Sequence, residues 1–267
     1  MTKFEADTAV TATGDGTYAV DVSPDWWVFT GPNGGYVASL LLRAMTATVA
    51  DPVRAARSLT VHYLKPPAAG PAEVHTRVVR SGRSLSTVAA DLHQDGTHLA
   101  TALAAFATPR EAMAFADAPP PPAPRPDDAP PSRWPDTLKP PIARQFEYRP
   151  ITTEQMFAGE DTAEIAAWIR PRDAMPYDAV LLATVSDALA PAVFVKASAP
   201  LAAVTVDLTV HFRAPSAVPP PQGWCQAMFR STVATDGYVE EDGAMYAEDG
   251  ALLAHSRQLA VLVPMKQ

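Results

Sequence analysis

Residues 59–66 read Leu-Thr-Val-His-Tyr-Leu-Lys-Pro, and residues 208–215 read Leu-Thr-Val-His-Phe-Arg-Ala-Pro. His62 and His211 hold the same place in the two blocks, 149 positions apart (211 − 62). Each block is followed by a Pro-rich turn, two further strand-like stretches and an acidic glycine turn, Gln94-Asp95-Gly96 in the first copy and Glu248-Asp249-Gly250 in the second. An apolar strand closes each copy, at 98–108 and 251–263. One supersecondary unit is used twice, so a site can form between two halves that are no longer identical.

The alternation inside each copy is that of a sheet with one buried face. Leu59, Val61 and Tyr63 share one side, Thr60 and His62 the other. In the second copy Val204, Val206, Leu208, Val210 and Phe212 oppose Thr205, Asp207, Thr209 and His211. Period two over such lengths means strand. A helical segment precedes each set. Residues 34–49 carry Arg43 as their single charge, so the helix lacks a polar stripe and is expected to be buried nearly all round. A second such helix is expected at about 177–189. A buried helix followed by an antiparallel sheet, twice, describes an α+β chain whose sheets wrap around helices.

Between the copies, residues 109–141 hold twelve prolines, including Pro119 to Pro122 in a row. Proline cannot donate to a ladder and favours extended backbone, which predicts a linker at 111–141 between an N-terminal unit (1–110) and a C-terminal unit (142–267). At 267 residues there is room for two units, each burying its own core. The formal net charge of −8 and the lack of a Lys/Arg patch disfavour a nucleic-acid partner. Cys225, the single cysteine, excludes an intramolecular disulfide, fits a reducing cytoplasm and is expected only to pack. Neither a signal peptide nor a membrane span is expected.

Taken alone, Asp187 shares a mostly apolar helical face with Thr184 and Val180, where a carboxylate needs a partner or a role. Burial raises its pKa and suits it to act as a general base on water. Gln258 shares a strand face with Ala254, Ser256 and Ala260 and needs hydrogen-bond partners there. Gly34 and Gly35, with the adjoining Tyr36, open the first helix; their bare N–H groups and the helix dipole suit an oxyanion, or else close helix-to-sheet packing. Arg80 and Arg83 bracket a turn and suit phosphate groups, or else are simply solvated there. The two repeat histidines are expected to be structural or solvated. No metal-ligand spacing and no Gly-x-Ser-x-Gly elbow is present.

The strings Asn-Gly-Gly-Tyr-Val-Ala, Ser-Leu-Thr-Val-His-Tyr-Leu-Lys-Pro and Val-Val-Arg-Ser-Gly-Arg-Ser-Leu-Ser resemble the double-hotdog acyl-CoA thioesterases related to acyl-CoA thioesterase II. The likeness covers about 15–109 and 142–263. It implies hydrolysis of acyl-CoA to fatty acid and coenzyme A without a cofactor, and a homo-oligomer, dimer or tetramer. It also implies a catalytic set of Asp187, Thr205 and Gln258, and it makes the oxyanion expected at Gly34, Gly35 and Tyr36 that of a thioester and the phosphates expected at Arg80 and Arg83 those of coenzyme A. The first copy lacks this set: Ala56 stands 149 positions before Thr205, and the offset of the acidic turns (249 − 95 = 154) places Ala104 opposite Gln258. Two rival readings keep the same cleft: a non-catalytic acyl-thioester-binding protein, and a hotdog hydratase or dehydratase, which needs a histidine beside its acid.

Overall fold

The computed structural model describes residues 1–29, 31–132, 139–152, 155–213 and 223–265. The Pro-rich turn after the second repeat block and residues 133–138 of the expected linker lie outside the described residues. The first half runs α1 (Lys3–Asp7), β1 (Thr11–Gly14), β2 (Thr17–Val22), β3 (Trp27–Val28), β4 (Gly31–Pro32), α2 (Gly34–Val49), β5 (Ala55–Tyr63), β6 (Gly70–Ser81), β7 (Leu85–Gln94) and β8 (Thr97–Ala107). The second runs β9 (Phe146–Pro150), β10 (Ala163–Pro171), α3 (Ala179–Val185), α4 (Val193–Lys196), β11 (Leu201–Phe212), β12 (Cys225–Ser231), β13 (Ala234–Thr235), β14 (Tyr238–Ala247) and β15 (Leu252–Pro264).

Nearly all the strands form one antiparallel sheet in the order β1-β2-β6-β7-β8-β5-β11-β15-β14-β12-β10-β9. The order reads outward identically in both halves: β5 matches β11, β8 matches β15, β7 matches β14 and β6 matches β12. The halves join where the repeat blocks pair, with Asp207 opposite His62, Thr209 opposite Thr60 and His211 opposite Ser58. Thr60 and Thr209 are equivalent residues under the 149 offset, so their side-chain contact at 3.0 Å marks the internal two-fold axis. This is the double hotdog that the resemblance implies. The edges that would otherwise be open to β5 and β11 cover one another.

Helix α2 starts where Asn33 caps it, accepting from the Tyr36 N–H, and stops at Ala50, whose φ of 49° no helix continues. Its residues from Gly35 to Leu42, with Ala44 and Met45, are buried. The partner helix is much shorter than 177–189. Asp178 is the N-cap rather than a helical residue, Ser186 ends the helix, and α3 spans seven residues. Capping by Asp178, whose side chain accepts from the Leu181 N–H, decides the start. The helices pack antiparallel, Gly35 beside Ala183 and Thr184, and Ser39 bonded to the Val180 carbonyl at 2.7 Å. The core is not two separate cores. A single buried cluster contains Leu40, Leu59 and Val88 from one half together with Leu181, Leu208 and Val210 from the other.

The Pro-rich segment is also less idle than a tether. Most of it is exposed, but Trp168 donates its indole N–H to the Pro124 carbonyl (2.9 Å), Gln226 donates to Pro121 (2.9 Å) and Arg149 donates to Ala129 (3.1 Å). Ala129 is buried against Trp168 and Trp224. Prolines lack donors but keep their carbonyls, so a proline run can satisfy side-chain donors on a sheet it crosses. Each buried donor left unpaired costs about 1–3 kcal/mol. Deleting residues 121–129 should therefore lower the urea midpoint clearly; an unchanged midpoint would restore the idle tether.

Candidate active site

Asp187 follows α3 directly, its N–H bonded to the Thr184 carbonyl at 3.2 Å. Its carboxylate meets the first turn of α2. Oδ2 accepts from the Gly35 N–H at 3.1 Å and from Asn33 Nδ2 at 2.8 Å; Asn33 Nδ2 also donates to the Asp187 carbonyl at 2.6 Å. Burial pushes the Asp187 carboxyl up to about 6, opposed by the Gly35 and Gly34 N–H groups and the Gln258 and Asn33 amides. Asn33 is thus cap and orienting group together: its oxygen holds the helix and its nitrogen holds the Asp187 carboxylate. Tyr63, donating to the Gly34 carbonyl at 2.8 Å, pins the same turn from β5.

The structure brings Thr205 and Gln258 together, with the threonine hydroxyl donating to the amide oxygen at 3.1 Å. Strict alternation puts Thr205 on the outer face with Asp207 and His211. The structure corrects this. The β11–β15 register slips between Thr205 and Asp207, so Thr205 turns toward Gln258 while Val204 is 54% exposed. A bulge reverses the face of every residue beyond it. The same slip occurs in the first half, between Ala56 and Ser58.

A residue the sequence reading passes over completes the site. Gln258 donates Nε2 to Glu241 Oε1 at 2.7 Å, and Glu241 Oε2 accepts from the Ala192 N–H. Glu241 is buried, and burial pushes its carboxyl up to about 7, opposed by the Ala192 and Gln258 bonds and reinforced by the charge of Asp187. The amide is therefore fixed at both ends, oxygen toward Thr205 and nitrogen toward two carboxylates. In the first half the positions matching Thr205, Gln258 and Glu241 are Ala56, Ala104 and Val88, all buried and apolar. Glu241 had a visible signal. It alternates with Val239 and Gly243 on the buried face, but it stands in the acidic string Glu240-Glu241-Asp242, which reads as solvated.

The other expected site residues are placed as follows. Gly35 is a packing residue: a Cβ there would lie 2.5 Å from the Ala183 carbonyl oxygen and 2.7 Å from that of Thr184. Its N–H, expected to hold an oxyanion, donates to Asp187 Oδ2. Gly34 lies beside the same carboxylate, with its Cβ position 3.0 Å from Oδ2. Tyr36, expected beside the substrate, lies in the core. It is fully buried and stacked on Trp26 (5.7 Å), accepting from the Ser23 N–H and donating to the Asp7 carbonyl. Arg80 and Arg83 are exposed and not brought to the site. Their turn, through the Gly82 carbonyl, receives Arg54 beside the start of β5, whereas Tyr63 at its other end touches Gly34. Nine strand residues separate these ends by roughly 27 Å. His62 and His211 are exposed on the outer face.

No helix among the described residues is long and apolar enough to cross a membrane. The chain matches two family models, the acyl-CoA thioesterase N-terminal domain over residues 23–108 and the acyl-CoA thioesterase C-terminal domain over 116–262. It is similar to a conserved hot dog fold protein of unknown function from Alicyclobacillus acidocaldarius, at 27% identity and TM-score 0.91 with all of both chains covered. It is also similar to a provisionally named thioesterase II from Thermobifida fusca YX, at 28% identity and TM-score 0.85 with 98% of each chain covered. A structure of an acyl-CoA thioesterase II from Mycobacterium marinum shares the fold at 22% identity and TM-score 0.79, covering 98% of this chain and 99% of that one. None of the curated proteins matches. With both halves matched in order and the sheet wrapped as described, the chain belongs to the acyl-CoA thioesterase family.

Proposed function

We propose that the chain hydrolyses acyl-CoA thioesters with Asp187 as general base. The observation that carries this is one carboxylate held at the first turn of a buried helix, next to an amide that a threonine and a second carboxylate fix in place. Asp187 takes a proton from water as the oxygen adds to the thioester carbonyl. The tetrahedral intermediate then collapses, breaking the C–S bond, and the departing thiolate takes that proton back from Asp187. Gln258 and Thr205 orient the water. The positive end of α2 favours negative charge both on the base and on the developing oxyanion. Hydration chemistry needs an imidazole beside the acid, and His62 and His211 face outward.

Free thiol release from acyl-CoAs of graded chain length, followed with a chromogenic disulfide, tests the reading. Binding without turnover across the whole series would leave the acyl-binding alternative in its place.

The buried acids give two dependences on pH. Activity should rise with pH through about 6, where Asp187 becomes the carboxylate that catalysis needs. Stability should move the other way. The folded state holds the Glu241 proton up to about 7, whereas the unfolded chain releases it near 4.5. The folded state therefore binds more protons in that window and loses stability as pH rises through it, by on the order of 3 kcal/mol. Chemical denaturation of Glu241→Gln at pH 5 and pH 8 checks this: the variant should lose the larger part of the difference shown by the parent and keep the smaller part due to Asp187, whose carboxyl burial raises in the same way. An equal slope in both would place the responsible group elsewhere.

A further inference from the structure

Three of the six histidines lie together on the outer face of the first half, away from the site above. His75 on β6, His93 on β7 and His98 on β8 form a cross-strand row. The rings of His75 and His93 are 4.9 Å apart at 23°, and those of His93 and His98 are 4.8 Å apart at 13°. The register fixes this. Glu73 stands opposite His93, His75 opposite Asp91, and His93 opposite His98. Two carboxylates enter the same row: Asp91 lies 3.2 Å from His98 Nε2, and Glu73 lies 3.1 Å from His75 Nε2. Beneath the row Val74, Leu92 and Leu99 are buried in the core, so the strands carrying it are held from the other face.

Ligand atoms of Asp91, His93 and His98 already lie within 4.8 Å of one another. Ligands at 2.0–2.1 Å around a tetrahedral ion sit about 3.3 Å apart. The remaining closure falls on side chains at the solvent face, which can rotate without repacking the core. Asp91 is oriented by the Thr101 hydroxyl, which donates at 2.5 Å to Oδ1, the oxygen that also faces His98. A hydrogen bond to a ligating carboxylate of this kind is the usual outer-shell support of a metal centre. The His98 Nε2 is shared between Asp91 and the Ala100 carbonyl, and an ion would take the place of the proton between ring and carboxylate.

We propose that Asp91, His93 and His98, with His75 alongside, form a binding site for a first-row divalent cation of the zinc class. Imidazole with one carboxylate suits zinc, nickel or cobalt, whereas calcium and magnesium favour oxygen ligands throughout. The three ligands lie within eight residues of the β7–β8 hairpin, and the register that sets His93 opposite His98 turns all three to one face. The ion joins β7 and β8, with His75 of β6 stacked beside it, on a face turned away from Asp187, which makes it a structural clasp independent of the hydrolytic reading.

The test is calorimetric titration of the full chain with zinc chloride, paired with the visible spectrum of cobalt added in its place. One equivalent of zinc should bind and raise the thermal midpoint. His93→Ala and His98→Ala should each weaken binding by at least about tenfold, and cobalt should give the intense bands of a four-coordinate site. Alanine at His211 and His255, which pair on β11 and β15, should leave binding unchanged. The proposal is overturned if zinc does not bind, if it binds equally well without His93 and His98, or if the His211 and His255 changes abolish binding.

Discussion

Asp187→Ala should reduce kcat for acyl-CoA hydrolysis by roughly 10²–10⁴-fold, the range expected when a positioned general base is lost. The KM should move little, because the carboxylate acts on water and the acyl chain is held elsewhere. The change leaves the Asn33 amide and the Gly35 N–H without their acceptor, a cost of about 1–3 kcal/mol, so the variant should stay folded and be assayed beside a denaturation curve. Gln258→Ala should fall short of the same loss, because the amide positions the water and takes no proton. Steady-state kinetics of both variants separate base from positioner. Full activity in Asp187→Ala, with activity abolished by His62→Ala or His211→Ala, would replace this mechanism with a histidine-based one.

Gly35→Ala should have the largest effect on stability, about 3 kcal/mol or more by chemical denaturation. The added Cβ would meet two backbone oxygens, Ala183 at 2.5 Å and Thr184 at 2.7 Å, and neither can swing away as a side chain could. Helices α2 and α3 would have to separate, opening the one core shared by both halves. Gly34→Ala is the informative contrast. Its Cβ would meet Asp187 Oδ2 at 3.0 Å and the Tyr63 ring at 3.3 Å, groups that can shift by a few tenths of an ångström. That variant should remain nearly as stable but lose rate, because the atom displaced is the base. Equal destabilisation by the two substitutions would contradict the packing argument.

The repeat carried most of the fold in advance. A 149-residue offset between identical strand patterns predicts two equivalent sheets, and the pairing of Thr60 with Thr209 shows how literally that offset is built. Local chemistry explains what was misplaced. Residues 177 and 178 look helical by composition, but Asp178 caps the helix with its side chain. Tyr36 beside two glycines resembles a ligand-binding aromatic, yet its hydroxyl serves backbone groups of Ser23 and Asp7. Asp187 and Gln258 stand out because a polar group on an apolar face demands an explanation. Thr205 does not, since threonine suits any strand and only the register slip turns it inward. Glu241 escaped for the opposite reason: acidic neighbours disguise a buried carboxylate, and only the depth of its strand exposes it.

The paired register slips separate inheritance from use. Ala56 and Thr205 sit at the same bend of matching strands, and a methyl group is tolerated there as well as a hydroxyl. The bend therefore belongs to the duplicated backbone and owes nothing to the chemistry. The two halves thus present one cradle twice: lined with polar side chains in the second half, and with Ala56, Val88 and Ala104 in the first, where the same bend serves packing alone.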